Sequence, residues 1–205
     1  MEENRKNNYV LLRGAVSAPP RFSHESRDER FYQFSMEISR LSGTVDTVHI
    51  IARQPLLEAL TLEDCEGKQL CVCGELRSFN NKSGVGPKLV ITVYAMELWL
   101  CGDKGEDENR VELRGVLCKA PNLRTTPMGR EICDLMLAVN RRYGRSDYLP
   151  CIAWGANARL AATMTVGTPV QLSGRIQSRT YTKLVEGQSV EKVAFEVSTI
   201  SLGLG

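Results

Sequence analysis

The fold is decided by Asn109–Tyr181, which reads NRVELRGVLCKAPNLRTTPMGREICDLMLAVNRRYGRSDYLPCIAWG over 109–155 and, after a short connection, VQLSGRIQSRTY over 170–181. Apolar residues fall on one parity of each run, as in Cys133, Leu135, Leu137, Val139 and again in Val170, Leu172, Gly174, Ile176. Strict alternation of this kind predicts half-buried strands. Arg, Tyr and Trp occupy the other parity. One face of such a sheet packs on a core while the other presents rings and guanidinium groups.

The same pattern occurs a second time, upstream. Asn8–Pro20 (NYVLLRGAVSAPP) matches Asn109–Pro121 (NRVELRGVLCKAP) at an offset of 101, with Arg13-Gly14 on Arg114-Gly115. The offset also carries Phe34, Met36, Ile38 and Arg40 onto Leu135, Leu137, Val139 and Arg141. One residue is lost before Gly74 and Ser78, which match Gly174 and Ser178. Between the copies, 101–108 (CGDKGEDE) is acidic and glycine-containing and reads as a linker. The expected organisation is therefore a domain over 1–100, the linker over 101–108, and a second domain over 109–205.

Each copy has the same order of elements: an opening strand, a hairpin, a third strand, a short helix, and two closing strands. The helix is expected over Pro55–Leu62 and Ala156–Met164. This all-β pattern, five strands with a helix between the third and fourth, predicts two tandem OB-folds, small Greek-key barrels. Gly14, Gly74, Gly115 and Gly174 fall inside strands, where barrel closure needs a bend or bulge.

Composition narrows the class. No run approaches the length of a bilayer span, and MEENRKNN has no apolar core for a signal peptide, so a cytosolic protein is expected. Seven cysteines, an odd count without a CxxC pair, accompany only His24 and His49. Buried, reduced thiols are expected, and no metal site or cofactor. No P-loop, nucleophile–base set or paired carboxylates suggest an enzyme. Residues 1–108 hold 13 Lys and Arg against 17 Asp and Glu, a net of −4; residues 109–205 hold 13 against 7, a net of +6. A polyanion partner for the second half alone would explain that split, although charge by itself does not require one.

The two faces of the third strand, Asp147–Trp154, sharpen this. Leu149, Cys151 and Ala153 share one face; Tyr148, Pro150, Ile152 and Trp154 share the other. In the first copy the former become Val48, Ile50 and Ala52, still apolar, and the latter Thr47, His49, Ile51 and Arg53. A core face would not carry Thr, His and Arg, so Tyr148 and Trp154 are expected outside, roughly 20 Å apart. Arg175 and Arg179 lie on the polar parity of the next strand, which Tyr181 ends, and Arg141, Arg142, Tyr143 and Arg145 cluster in the loop before the third. Rings that stack bases and cations that track phosphates are the chemistry of single-strand binding. The first copy has Ser42, Thr47, Arg53 and Asn81 where the second has Tyr143, Tyr148, Trp154 and Tyr181. It is expected to bind weakly or to serve as a structural partner, with Phe79, Arg53 and Arg77 as candidates for remaining strand contact and Phe79 equally a candidate for packing on its own loop.

Residues 109–202 resemble the bacterial single-stranded DNA-binding protein family through NRVxLxGxLxxxPxLRxTPxG, LAVNR, the strand closing in AWG, and GRIQSRTY. Residues 8–98 resemble it only through the repeat. The resemblance implies base stacking at Tyr143, Tyr148, Trp154 and Tyr181 and basic contacts at Arg124 and Arg179. With Arg114, Arg141, Arg142, Arg145, Arg175 and Lys183 these form the candidate nucleic-acid-binding set. It also implies sequence-tolerant binding of single-stranded DNA in replication, recombination or repair, and four OB-folds acting together, which a homodimer of this chain would supply. The sequence ends in ISLGLG without the family's Gly/Pro/Gln-rich acidic tail, so recruitment of repair proteins through such a tail is not expected. The alternatives are an RNA-binding OB protein and a protein-interaction adaptor working through the acidic first copy.

Overall fold

At two places in each copy one strand passes so close to another that no side chain fits between them. The computed structural model describes residues 7–60, 66–81, 88–102, 105–141, 144–185 and 188–205, and the side chains of these except 180–185, 188 and 190–192. A Cβ added to Gly115 would lie 2.4 Å from the carbonyl oxygen of Ala138, and one added to Gly174 2.3 Å from that of Ser198. Gly14 and Gly74 stand in the same relation to Glu37 and Tyr94, at 2.4 and 2.2 Å. The obstacle is backbone in each case, so it cannot turn aside.

The strands that cross there belong to two similar sets. The first is β1 (Asn8–Val16), β2 (Arg21–Ser26), β3 (Glu29–Ser39), β4 (Val45–Arg53), α1 (Gln54–Glu58), β5 (Gln69–Asn80) and β6 (Leu89–Leu100). The second is β7 (Glu108–Leu117), β8 (Asn122–Thr125), β9 (Glu131–Asn140), β10 (Ser146–Trp154), α2 (Gly155–Ala162), β11 (Pro169–Val185) and β12 (Gln188–Leu204). The strand orders are β2-β3-β4-β6-β5-β1 and β8-β9-β10-β12-β11-β7. Each order closes on itself, by Ala15↔Glu37 between β1 and β3 and by Val116↔Ala138 between β7 and β9. The pairs β4–β6 and β10–β12 are parallel. These are OB-fold barrels, with one addition to the expected five strands: β2 and β8 are short edge strands that complete the first hairpin. The first helix is shorter than expected, ending at Glu58.

The β2–β3 turn shows how local chemistry serves this closure. Arg27 and Asp28 both have positive φ, 52° and 61°. A two-residue hairpin turn needs that hand to match the twist of its strands. In the second copy Gly129, at φ 77°, takes the left-handed position of the corresponding tip.

By contacts the chain divides into two compact units, Tyr9–Arg77 with Thr92–Val111, and Glu112–Gly205 with Met1–Asn8 and Ser78–Ile91. The second unit thus takes in an arm, Ser78–Ile91, that the repeat assigns to the first copy. Its barrel core is built on Leu113, Leu117, Leu137, Leu149 and Leu172, all buried, each contributing about 1.5–3 kcal/mol. In the first unit Leu12, Met36, Ile38, Ile50 and Leu70 fill the same role.

The cysteines depart from expectation. Cys71 and Cys101 form a disulfide, with Cα atoms 6.1 Å apart, where reduced thiols were expected. Their pairing arises because Cys101 follows β6 back along β5, its amide donating to the carbonyl of Gln69 (2.9 Å). Cys73, Cys118, Cys133 and Cys151 are free thiols, and burial pushes that of Cys151 far above its ordinary range. Cys65 lies outside the described residues. Among the described residues no helix is long and apolar enough to cross a membrane, and no group of three or more His, Cys, Asp or Glu is placed to hold a metal.

The close crossings make a direct stability test. G115A and G174A are each expected to lower the unfolding free energy by about 1–3 kcal/mol in urea titration. G203A, with open space around its Cβ, is expected to change it by less than about 0.5 kcal/mol.

Candidate nucleic-acid interface

The site depends on which way the side chains of β10 point. Asp147, Leu149, Cys151 and Ala153 are buried in the barrel, and Tyr148 stands on the opposite side with 52% of its surface exposed. Its neighbour across β9 is Ala138, which is in turn opposite Val116 of β7. Directly opposed residues share a face, so Val116, Ala138 and Tyr148 make an apolar row across three strands. The small Ala138 leaves the ring uncovered. Val116 is 39% exposed, and Arg114, two residues before it, is on the same face of β7.

At the other end of β10, Trp154 is half-buried. Its indole Nε1 donates to Ser198 Oγ on β12 (3.2 Å). Ser198 is paired with Arg175 of β11, so the indole edge and the Arg175 side chain meet on one face. Arg175 Nε is buried there without a hydrogen-bond partner. Between the two ends the face is filled rather than open. Ile152, expected outside, is 1% exposed, lodged between Asp134 of β9 and Ser198 of β12.

Several candidate cations already face carboxylates. Arg124 donates from Nε and Nη2 to Asp134 (2.6 and 3.0 Å), and this bonding raises its pKa further. Arg179 Nε donates to Glu196 (3.3 Å), which also accepts from Gln177 Nε2 (3.0 Å). Gln177 and Glu196 are both buried on the side expected to face solvent. Arg141 makes a two-point pair with the fully buried Asp147. Arg145 is exposed, and its carbonyl accepts from the Arg141 amide (2.7 Å). Arg142 and Tyr143 lie outside the described residues. Tyr181 and Lys183 are placed only as backbone, opposite Lys192 and Val190 in β11–β12.

Asp147 does more than hold Arg141. Its Oδ1 accepts from the Ser78 amide (2.7 Å), Ser78 Oγ accepts from the Tyr148 amide (2.8 Å), and Arg141 Nη2 donates to the Ser78 carbonyl (3.4 Å). The strand arm from the first copy is therefore fastened to the start of β10. Sequence reading missed Ser78, Val116 and Ser198. Only spatial pairing reveals them, since each is unremarkable in its own run.

In the first copy the corresponding positions are engaged otherwise. Arg53 pairs with Glu29 (3.3 Å) and Arg77 with Glu75 (2.5 Å), Arg77 also lying 5.6 Å from the Tyr94 ring centroid. His49, expected to face solvent, is half-buried against Ser35 Oγ (2.9 Å), and burial lowers its pKa. Arg40 and Asp46 repeat the Arg141–Asp147 pair, with Asp46 also buried.

The two carboxylate pairs differ in burial, and so should their variants. D147A removes the buried partner of Arg141 and the anchor of Ser78, and is expected to cost about 2–4 kcal/mol in urea unfolding after allowance for the partial exposure of Arg141. D134A, whose pair with Arg124 is 37% exposed on both sides, is expected to cost less than about 1 kcal/mol.

Residues 108–202 match the model of the Single-strand binding protein family. A single-stranded DNA-binding protein of Clostridium tetani is 40% identical over 80 residues, covering 36% of this chain and 55% of its own length. One from Oceanobacillus iheyensis is 37% identical over 92 residues, covering 42% and 55%. The chain thus spans about half the length of the curated relatives it matches. The wild-type single-stranded DNA binding protein of Thermus aquaticus superposes with a TM-score of 0.78 at 21% identity, covering 97% of this chain and 92% of that one. That likeness is one of fold.

Proposed function

We propose that the chain, through the residues 108–202 that match the single-strand binding protein family, binds single-stranded DNA without sequence preference, as a passive protector of exposed strands with no catalytic step. The observation that carries this is Tyr148, a half-exposed ring on the side of β10 opposite the barrel core, in one row with Ala138 and Val116, whose face of β7 also carries Arg114. Stacking on a ring is worth about 1–3 kcal/mol per base whatever the base, because every base has a π-face. Trp154 supplies a second platform, its edge held by Ser198 so that little conformational freedom is lost on binding. Tyr143 and Tyr181 are the proposed remaining platforms.

Phosphates would fall to Arg114, Arg145 and Arg175, with Arg142 and Lys183. Arg124, Arg141 and Arg179 already face carboxylates. Their first task is to hold strands together, and they add positive potential only in part. The modules proposed are residues 1–100 and 109–205, joined by 101–108, with the second carrying the principal strand contacts. A homodimer would then present four OB-folds to one strand. The setting proposed is the bacterial cytosol, in replication, recombination or repair.

Fluorescence titration with oligo-dT at two salt concentrations tests this. Y148A and W154A are each expected to weaken binding by about 1–3 kcal/mol, while a substitution at Arg53 changes it far less. For the unsubstituted chain, log K should fall linearly with log salt, at about 0.7 per phosphate contact. Unchanged affinity in both aromatic variants would remove the proposed site. A marked preference for oligo-U over oligo-dT would turn the reading toward RNA.

A further inference from the structure

We infer that Phe79, carried on the strand arm of the first copy, is a base-stacking platform of the C-terminal unit's strand-binding surface, next to Tyr148. The inference rests on the reading of Tyr148 as a stacking residue and extends it to a residue that the repeat does not supply. The position matching Phe79 in the second copy is Arg179, and the one matching Tyr181 is Asn81.

Three observations carry it. The first is placement. Ser78–Ile91 belongs to the compact unit that contains β10. Ser78 is fixed there at three atoms, its amide on Asp147 (2.7 Å), its Oγ under the Tyr148 amide (2.8 Å) and its carbonyl facing Arg141 (3.4 Å). Phe79 is the next residue. Adding the 2.8 Å hydrogen bond to standard covalent lengths puts the Cα atoms of Phe79 and Tyr148 within about 11 Å of each other. Stacked bases rise about 3.4 Å each along a strand, so the two positions lie within a span of about three nucleotides.

The second is exposure. Phe79 is 51% exposed and Tyr148 52%. Ser78 directs its Oγ toward β10, so by strand alternation Phe79 projects from the other side of β5. The ring is not used to fasten the arm.

The third is charge. The first copy is acidic overall, yet no Asp or Glu occurs between Glu75 and Glu97, while Arg77, Lys82 and Lys88 do. Lys88 is exposed, and its carbonyl accepts from the Asn81 amide (2.8 Å), two residues beyond Phe79. Arg145 is exposed in the turn whose Arg141 faces Ser78. The ring therefore sits on a basic stretch of an acidic domain, and the exposed Arg145 adds a further cation. That charge suits a polyanionic strand and disfavours a basic partner.

The test is anisotropy of labelled oligo-dT with the full chain, comparing F79A, F79W, Y148A and the unsubstituted protein, with thermal melts of each. F79A is expected to weaken binding about 5- to 150-fold without a shift in melting temperature. F79W is expected to restore binding to within about 3-fold and to add tryptophan quenching on titration beyond that of the unsubstituted chain. Wild-type affinity in F79A together with weakened Y148A overturns this inference and leaves the Tyr148 site standing. Wild-type affinity in both variants overturns the two together. Should F79A melt early, an absence of added quenching in F79W overturns the inference independently.

Discussion

Everything in this molecule depends on strands crossing without a side chain between them. Gly115 over Ala138 and Gly174 over Ser198 let β7 and β11 bend across their neighbours and shut the barrel. Once it is shut, the alternation of β10 has no freedom left. Leu149, Cys151 and Ala153 must fill the interior, so Tyr148 must face away from it. The repeat of the same contacts at Gly14 and Gly74 shows that closure is common to both copies, while the residues matching Tyr148 and Trp154 differ.

Much of this was legible in the sequence because it follows from period and repetition. Alternating Cys133, Leu135, Leu137 and Val139 gave a strand, and the 101-residue offset gave its twin. Comparing the twins was what separated core from surface, since Thr47 and Arg53 could not stand in a core face that Tyr148 and Trp154 shared. The same logic failed for Ile152 and Gln177. Parity assigns a side, not an exposure, and a side can be covered by Asp134, Ser198 and Glu196 arriving from strands distant in sequence. The Cys71–Cys101 bridge was hidden for a related reason. Nothing in spacing says that the chain after β6 returns to β5.

The charges carry a similar lesson. Counting cations suggested a basic surface of eight groups. The geometry divides them. Arg124, Arg141 and Arg179 tie strands together through carboxylates, and the Arg141–Asp147 pair recurs as Arg40–Asp46 in the copy without stacking rings. A residue pair present in both copies, with Tyr148 beside one and Thr47 beside the other, serves the barrel that the copies share. Of the candidates with described side chains, Arg114, Arg145 and Arg175 are outside those three carboxylate pairs, and these are the ones proposed for phosphates together with Arg142 and Lys183. The arm held by Ser78 reaches the start of β10 from the other copy.

Photo-crosslinking tests the central claim most directly. A 5-iodouracil-substituted oligonucleotide bound to the full chain, irradiated and mapped by mass spectrometry, should attach to the peptides containing Tyr148 and Trp154. Crosslinks confined to the first copy's β3 and β4, around Thr47 and Arg53, with none on β10, would contradict the account.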